Sequence, residues 1–263
     1  GVVYEAIQES LGRRVALKVL AGRGVKDPLL LERFKREAQA VSALHHTSIV
    51  PVFGIGQSDG VYYYAMQFIA GQSLDHLSSS QHHPTKVFHP SLNEQGKGSY
   101  RTVARIGGQA ADALTYAHAN GVLHRDIKPA NLILDDQGKI WVSDFGLARI
   151  DGLDELTLAE DILGTLRYIP PERFKGCCDA RGDVYSLGLT LYELLVDRPA
   201  FQVATRGELI HHILSIQPPA LRSLDKRIPR ELETIVHKAI AKEPQQRYQS
   251  AAALAEDLQR FQS

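Results

Sequence analysis

Residues 122–136 read VLHRDIKPANLILDD. Apolar, strand-like stretches flank a polar turn that carries His124, Arg125, Asp126, Lys128 and Asn131. Such a group beside residues that favour burial is costly unless its members pair with one another or do chemistry. The segment therefore belongs where a core meets a cleft, and the rest of the chain must supply both.

The sequence on either side differs in texture. Residues 1–20 read as strands, and in RRVALKVL the side chains of Ala16, Lys18 and Leu20 share one face. Taken alone, Lys18 reads equally well as an edge lysine whose ammonium reaches water. The next pattern, DPLLLERFKREAQAVSAL, is helical, with Pro28 in its first turn and a stripe of Leu31, Phe34, Ala38, Val41 and Leu44. Glu37 lies beside that stripe, and by itself reads as a solvated rim charge. Two further strands follow, joined by a turn at Ser58, Asp59 and Gly60. Residues 78–100 are polar, carry Pro and Gly, and read as a surface loop. After them helical patterns run over 101–120, 182–196, 207–215, 230–241 and 250–262, the fourth ended by Pro244 and the last capped by Ser250. The expected fold is α+β, with a small β-rich lobe over 1–70 and a larger helical lobe over 71–263.

The totals exclude several classes. With 263 residues the chain can bury a large core, and its formal net charge of zero gives no basic field for nucleic acid. No apolar run approaches the roughly 20 residues of a membrane span. Cys177 and Cys178 are adjacent, which disfavours a disulfide and provides too few thiols for a zinc site, so a reducing compartment is expected. The chain opens on Gly1 inside a strand pattern, as an excised piece of something longer would.

Downstream of the opening segment, a strand over 139–143 delivers Asp144, Phe145 and Gly146, followed by GTLRYIPPE at 164–172 and DVYSLG at 183–188. Together with VALK at Lys18, the helix Glu37 and HRDIKPAN, this order resembles the eukaryotic-type protein kinase family over essentially the whole chain. The wording is similar to bacterial serine/threonine kinases. The resemblance implies the bilobal kinase fold and an activity that moves the γ-phosphoryl group of ATP onto serine or threonine hydroxyls of proteins, the chain itself included.

It also implies roles. Lys18 would hold the α- and β-phosphates and Glu37 would pair with it. Asp126 would orient the substrate hydroxyl and accept its proton, and Lys128 would reach the γ-phosphate. Asn131 and Asp144 would hold magnesium, or manganese in its place, through hard oxygen donors. Thr165 would pack on the catalytic loop. Gly1, Val3, Ala16 and Ile133 would enclose the nucleotide, with Met66 at the back of the pocket and Gln67, Phe68 and Ile69 as the connection whose backbone meets adenine. His124 and Phe145 would stack with Val41, Glu172 would pair with Arg247, and Asp183 would brace the loop. Thr157, in the segment between Asp144 and Glu172, would be an autophosphorylation site read by Arg125. The implied setting is a cytoplasmic domain of a larger signalling protein, membrane-anchored elsewhere or not, with two copies meeting for autophosphorylation.

The chain departs from the pattern twice. The phosphate-covering loop G-x-G-x-x-G-x-V is represented only from its last glycine, Gly1, and Pro170 stands where alanine is usual. The first departure supports one alternative, a nucleotide-holding pseudokinase without turnover, although Lys18, Glu37, Asp126, Asn131 and Asp144 are all present.

Overall fold

Alternation in VVYEAIQ and RRVALKV makes a hairpin of β1 (Val2–Gln8) and β2 (Arg13–Val19), in register Val3 opposite Lys18 and Glu5 opposite Ala16. This is a computed structural model, and it describes residues 2–19, 28–75, 97–145 and 164–263. α1 (Pro28–Ser42) follows, placing Ala38 and Val41 in the core. β3 (Val52–Ser58) and β4 (Val61–Gln67) are joined by Asp59 and Gly60, at φ +51° and +78°. A two-residue turn with both φ positive matches the twist of the strands it connects. The four strands form one antiparallel sheet in the order β1-β2-β4-β3, with α1 packed on β3.

A second sheet lies beyond the connection at Gln67–Ile69. β5 (Gly71–Ser73), β6 (Leu132–Asp135) and β7 (Ile140–Val142) pair antiparallel in that order. Gly71 permits this pairing, because a Cβ there would lie 2.4 Å from the Leu134 carbonyl oxygen. The two sheets are tied by backbone bonds: the Val50 N–H donates to Val142 O at 2.9 Å and the Val142 N–H to Ser48 O at 2.8 Å.

The large lobe is built on α2 (Lys97–Ala119) and α3 (Ala180–Val196). α2 buries Ala104, Ile106, Ala110, Ala113, Leu114 and Ala117 and packs on α3 and the last helix. α3 is buried without interruption from Gly182 to Tyr192, as expected of a helix covered on all sides. Two of its hydroxyls are satisfied by backbone carbonyls, Ser186 Oγ donating to Tyr168 O and Thr190 Oγ1 to Ser186 O, while the buried Tyr185 hydroxyl has no hydrogen-bond partner among the described residues. α4 (Arg206–Ser215), α5 (Leu221–Leu224), α6 (Arg230–Ala239) and α7 (Ala251–Gln262) complete the lobe, and Ser250 Oγ caps α7 by accepting from Ala253 N at 3.2 Å. Cys177 and Cys178 are free and exposed.

Three details correct the sequence reading. Residues 97–100 are the first turn of α2 rather than loop, while 76–96 lie outside the described residues. α6 stops before Pro244: Ile240 leaves helical geometry at ψ +17°, and Pro244 opens a separate 3-10 turn. The short α5 was not anticipated, because four residues are too few for a visible apolar period.

Gly188 on α3 sits where a Cβ would lie 2.7 Å from Ile240 Cγ2 and 2.8 Å from Ala239 Cβ. Gly188→Ala is expected to cost about 1–3 kcal/mol by overpacking. Urea denaturation checks this, and an unchanged midpoint would show that α3 and α6 are less closely packed than described.

Candidate active site

The polar turn of residues 122–131 leaves α2 at Gly121 and enters β6 through a 3-10 turn, Pro129–Asn131. Ile127, fully buried, anchors it from below. Asp183, from α3, holds its backbone: Oδ2 accepts from His124 N at 2.8 Å and Oδ1 from Arg125 N at 2.7 Å. His118 Nε2 lies 2.8 Å from the same carboxylate. Burial alone would raise the Asp183 pKa, but the His118 hydrogen bond, the nearby imidazoles and the His124 amide outweigh it and hold the carboxyl below its ordinary value. Arg125 sits at φ +63°, a conformation that costs a non-glycine residue about 1–3 kcal/mol. The Asp183 contact and the Arg173 guanidinium, which donates to Arg125 O at 2.8 Å, hold it there.

His124 is fully buried, and burial lowers its pKa against the pull of the Asp183 and Asp126 carboxylates. Its Nδ1 accepts the Asp126 N–H, so the remaining proton is on Nε2, which donates to Ser143 O at 2.8 Å. Phe145 stacks on the ring with centroids 4.5 Å apart. One neutral imidazole thus joins the turn to the segment that carries Asp144.

The functional atoms gather around this frame. Asn131 Nδ2 donates to the Asp126 carbonyl at 2.7 Å and to Asp126 Oδ2 at 3.1 Å. Lys128 Nζ lies 3.1 Å from Asp126 Oδ2 and donates to Thr165 Oγ1 at 3.2 Å. The Ser143 N–H donates to Asn131 O at 3.0 Å, which sets Asp144 beside Asn131. Asp144, at φ +61°, accepts from Lys18 Nζ at 2.6 Å on Oδ2 and from the Tyr64 hydroxyl on Oδ1. Both members of the Lys18–Asp144 pair are largely buried, at 13% and 16% side-chain exposure. Burial, reinforced by the Asp144 carboxylate, raises the Tyr64 phenol well above its ordinary pKa, so it remains a donor.

On the small-lobe sheet the register sets Val3 and Tyr64 on either side of Lys18, and Met66 opposite Ala16. Residues directly opposite share a face, so Val3, Ala16, Lys18, Tyr64 and Met66 lie on the side that presents Lys18 to Asp144. Gln67, Phe68 and Ile69 are half-buried between the sheets, and Ile133 is half-buried on β6. Gly1 and Thr157 lie outside the described residues, as does the side chain of Glu37; the described ionic partner of Lys18 is Asp144.

The protein kinase domain family matches residues 1–258 of this sequence. The chain belongs to the protein kinase family. It is similar to a probable serine/threonine-protein kinase of Streptomyces coelicolor, at 36% identity over 98% of the chain and 37% of the relative. It is likewise similar to serine/threonine-protein kinase PrkC of Bacillus subtilis, at 32% identity over 97% of the chain and 38% of the relative. For PknB of Mycobacterium tuberculosis the identity is 33%, over 98% of the chain and 40% of the relative. The chain thus spans well under half the length of these relatives. The crystal structure of the PknI kinase domain of Mycobacterium tuberculosis superposes with a TM-score of 0.73 at 27% identity, covering 99% of this chain and 90% of that one.

Behind the site, this kinase carries a bidentate ion pair, Arg247 Nη1 and Nη2 to the two Glu172 oxygens at 2.7 Å each. Arg247 is fully enclosed and spends its other donors on the carbonyls of Ala241, Arg181 and Lys242. Tyr64, His118 and Arg173 escaped the sequence reading. Tyr64 is one of three consecutive tyrosines, and only the β2–β4 register separates it from its neighbours by placing it opposite Lys18.

Proposed function

We propose that this domain binds ATP between its lobes and transfers the γ-phosphoryl group to serine or threonine hydroxyls of proteins. The observation that carries this is the cluster of Asp126, Lys128, Asn131 and Thr165, which the Ser143 N–H to Asn131 O bond ties to the segment bearing the Lys18–Asp144 pair. Phosphoryl transfer depends chiefly on positioning and on neutralising charge, and the network supplies both. Asp126 orients the incoming hydroxyl and takes its proton. Lys128, already fixed by Asp126 and Thr165, meets the γ-phosphate. Lys18 turns from Asp144 to the α- and β-phosphates when the nucleotide enters. Val3, Ala16, Met66 and Ile133 enclose the adenine, with Gly1 at the phosphates, while the backbone of residues 67–69 meets its edge and Glu37 aims Lys18.

Members of the family use ATP with a divalent metal, and the donor set fits magnesium. Asp144 offers a carboxylate and Asn131 an amide oxygen, its nitrogen being spent on Asp126. Asp144 and Asn131 would hold the ion, and water and phosphate oxygens would complete its shell, as suits magnesium. A bound magnesium would neutralise charge on the phosphate oxygens. Autophosphorylation at Thr157, between two copies in the cytoplasm, is part of this reading. Among the described residues no helix is long and apolar enough to cross a membrane.

The test is transfer of label from γ-labelled ATP to a generic protein substrate. Label on serine or threonine that disappears in Lys18→Met is the expected result. Nucleotide-dependent thermal stabilisation with no transfer in the unaltered protein would overturn it.

A further inference from the structure

We propose that Tyr64 is a positioning residue for Asp144, holding the metal-binding carboxylate in place once Lys18 has left it for the nucleotide. The inference rests on the function proposed above. Two adjacent strands converge on one carboxylate: Lys18 of β2 takes Oδ2 and Tyr64 of β4, directly opposite it in register, takes Oδ1. Tyr64 is 1% exposed, and a buried hydroxyl at that position is costly without a partner. Asp144 holds φ +61°, a conformation that persists only where its surroundings enforce it. Lys18 and Tyr64 share that task.

When Lys18 turns to the phosphates, the ionic contact on Oδ2 is lost and that oxygen opens to the cleft. The Tyr64 hydroxyl keeps its contact with Oδ1, because it is set in the core and carries no charge for the phosphates to attract. A carboxylate oxygen has lone pairs for both a phenol donor and a cation, so the hydrogen bond fixes the carboxylate plane and still leaves Asp144 able to bind metal. Partners that orient a metal ligand in this way typically change metal affinity by about 10–100-fold when removed.

The experiment titrates magnesium against thermal stabilisation of the protein by a non-hydrolysable ATP analogue, for the unaltered protein, Tyr64→Phe, Tyr64→Met and Tyr63→Phe. The magnesium midpoint is expected to rise about 10–100-fold in both Tyr64 variants and to stay unchanged in Tyr63→Phe. A merely structural role would lower the nucleotide-free melting temperature without moving that midpoint, and a midpoint equal to the unaltered protein's in either folded Tyr64 variant overturns the proposal. Should the unaltered protein itself show no magnesium-dependent stabilisation, the nucleotide-binding reading fails, and this inference with it.

Discussion

Asp126→Asn is expected to lower the turnover number by about 10²–10⁴-fold, the usual contribution of a positioned general base. The substitution keeps the shape of the side chain and an oxygen able to accept from Asn131 Nδ2, now 3.1 Å from Oδ2. It removes the negative charge that Lys128 faces at 3.1 Å and the ability of Asp126 to take the proton of the substrate hydroxyl. The backbone frame is untouched, because Asp183 and His124 hold it through main-chain amides. The melting temperature and the Michaelis constant for ATP should therefore stay close to those of the unaltered protein. Steady-state kinetics with a protein substrate decides the matter, and a variant that retains more than about a tenth of the original turnover would remove Asp126 from the role of base.

The largest effect on stability is expected at Arg247. Arg247→Met leaves Glu172, at 12% side-chain exposure, without its bidentate partner, and leaves the carbonyls of Ala241, Arg181 and Lys242 without donors. Breaking a buried pair from one side costs about 3–5 kcal/mol, mostly through the charge left behind. The double variant Arg247→Met with Glu172→Leu should recover part of that loss, because no charge is then stranded. Equilibrium urea unfolding of the two single variants and the double measures both quantities. A loss below about 1 kcal/mol in Arg247→Met would mean that the pair is solvated and behaves as a surface ion pair does.

The readable parts of this molecule are those in which one local pattern decides the outcome. The Asp59–Gly60 hairpin, the Ser250 cap and the stripe of Leu232, Ile235, Val236 and Ala239 follow from turn chemistry, capping and helical period, and the structure has each of them. The polar residues of the 122–131 turn could be named as a group because their cost in a core demands an explanation. What they touch could not be read. Arg173 reaches the turn from 48 residues away and His118 reaches the Asp183 carboxylate that braces it from 65 residues away, and nothing in their local sequence sets them apart from surface cations. Tyr64 depends on a strand register, which a one-residue slip would reverse. Lys18 had two readings on its own strand, and the ion pair with Asp144, 126 residues on, selects the cleft.

The central claim is that Lys18, Asp126, Asn131 and Asp144 surround one nucleotide and its metal. The most direct measurement is a crystal structure with a non-hydrolysable ATP analogue and manganese, collected at a wavelength that shows manganese by anomalous scattering. The account predicts an anomalous peak in contact with the Asp144 carboxylate and the Asn131 amide oxygen, Lys18 on the α- and β-phosphates, and the γ-phosphate facing Lys128 and Asp126. Manganese bound away from Asp144, or an analogue seated outside the cleft while Lys18 stays on Asp144, would contradict it.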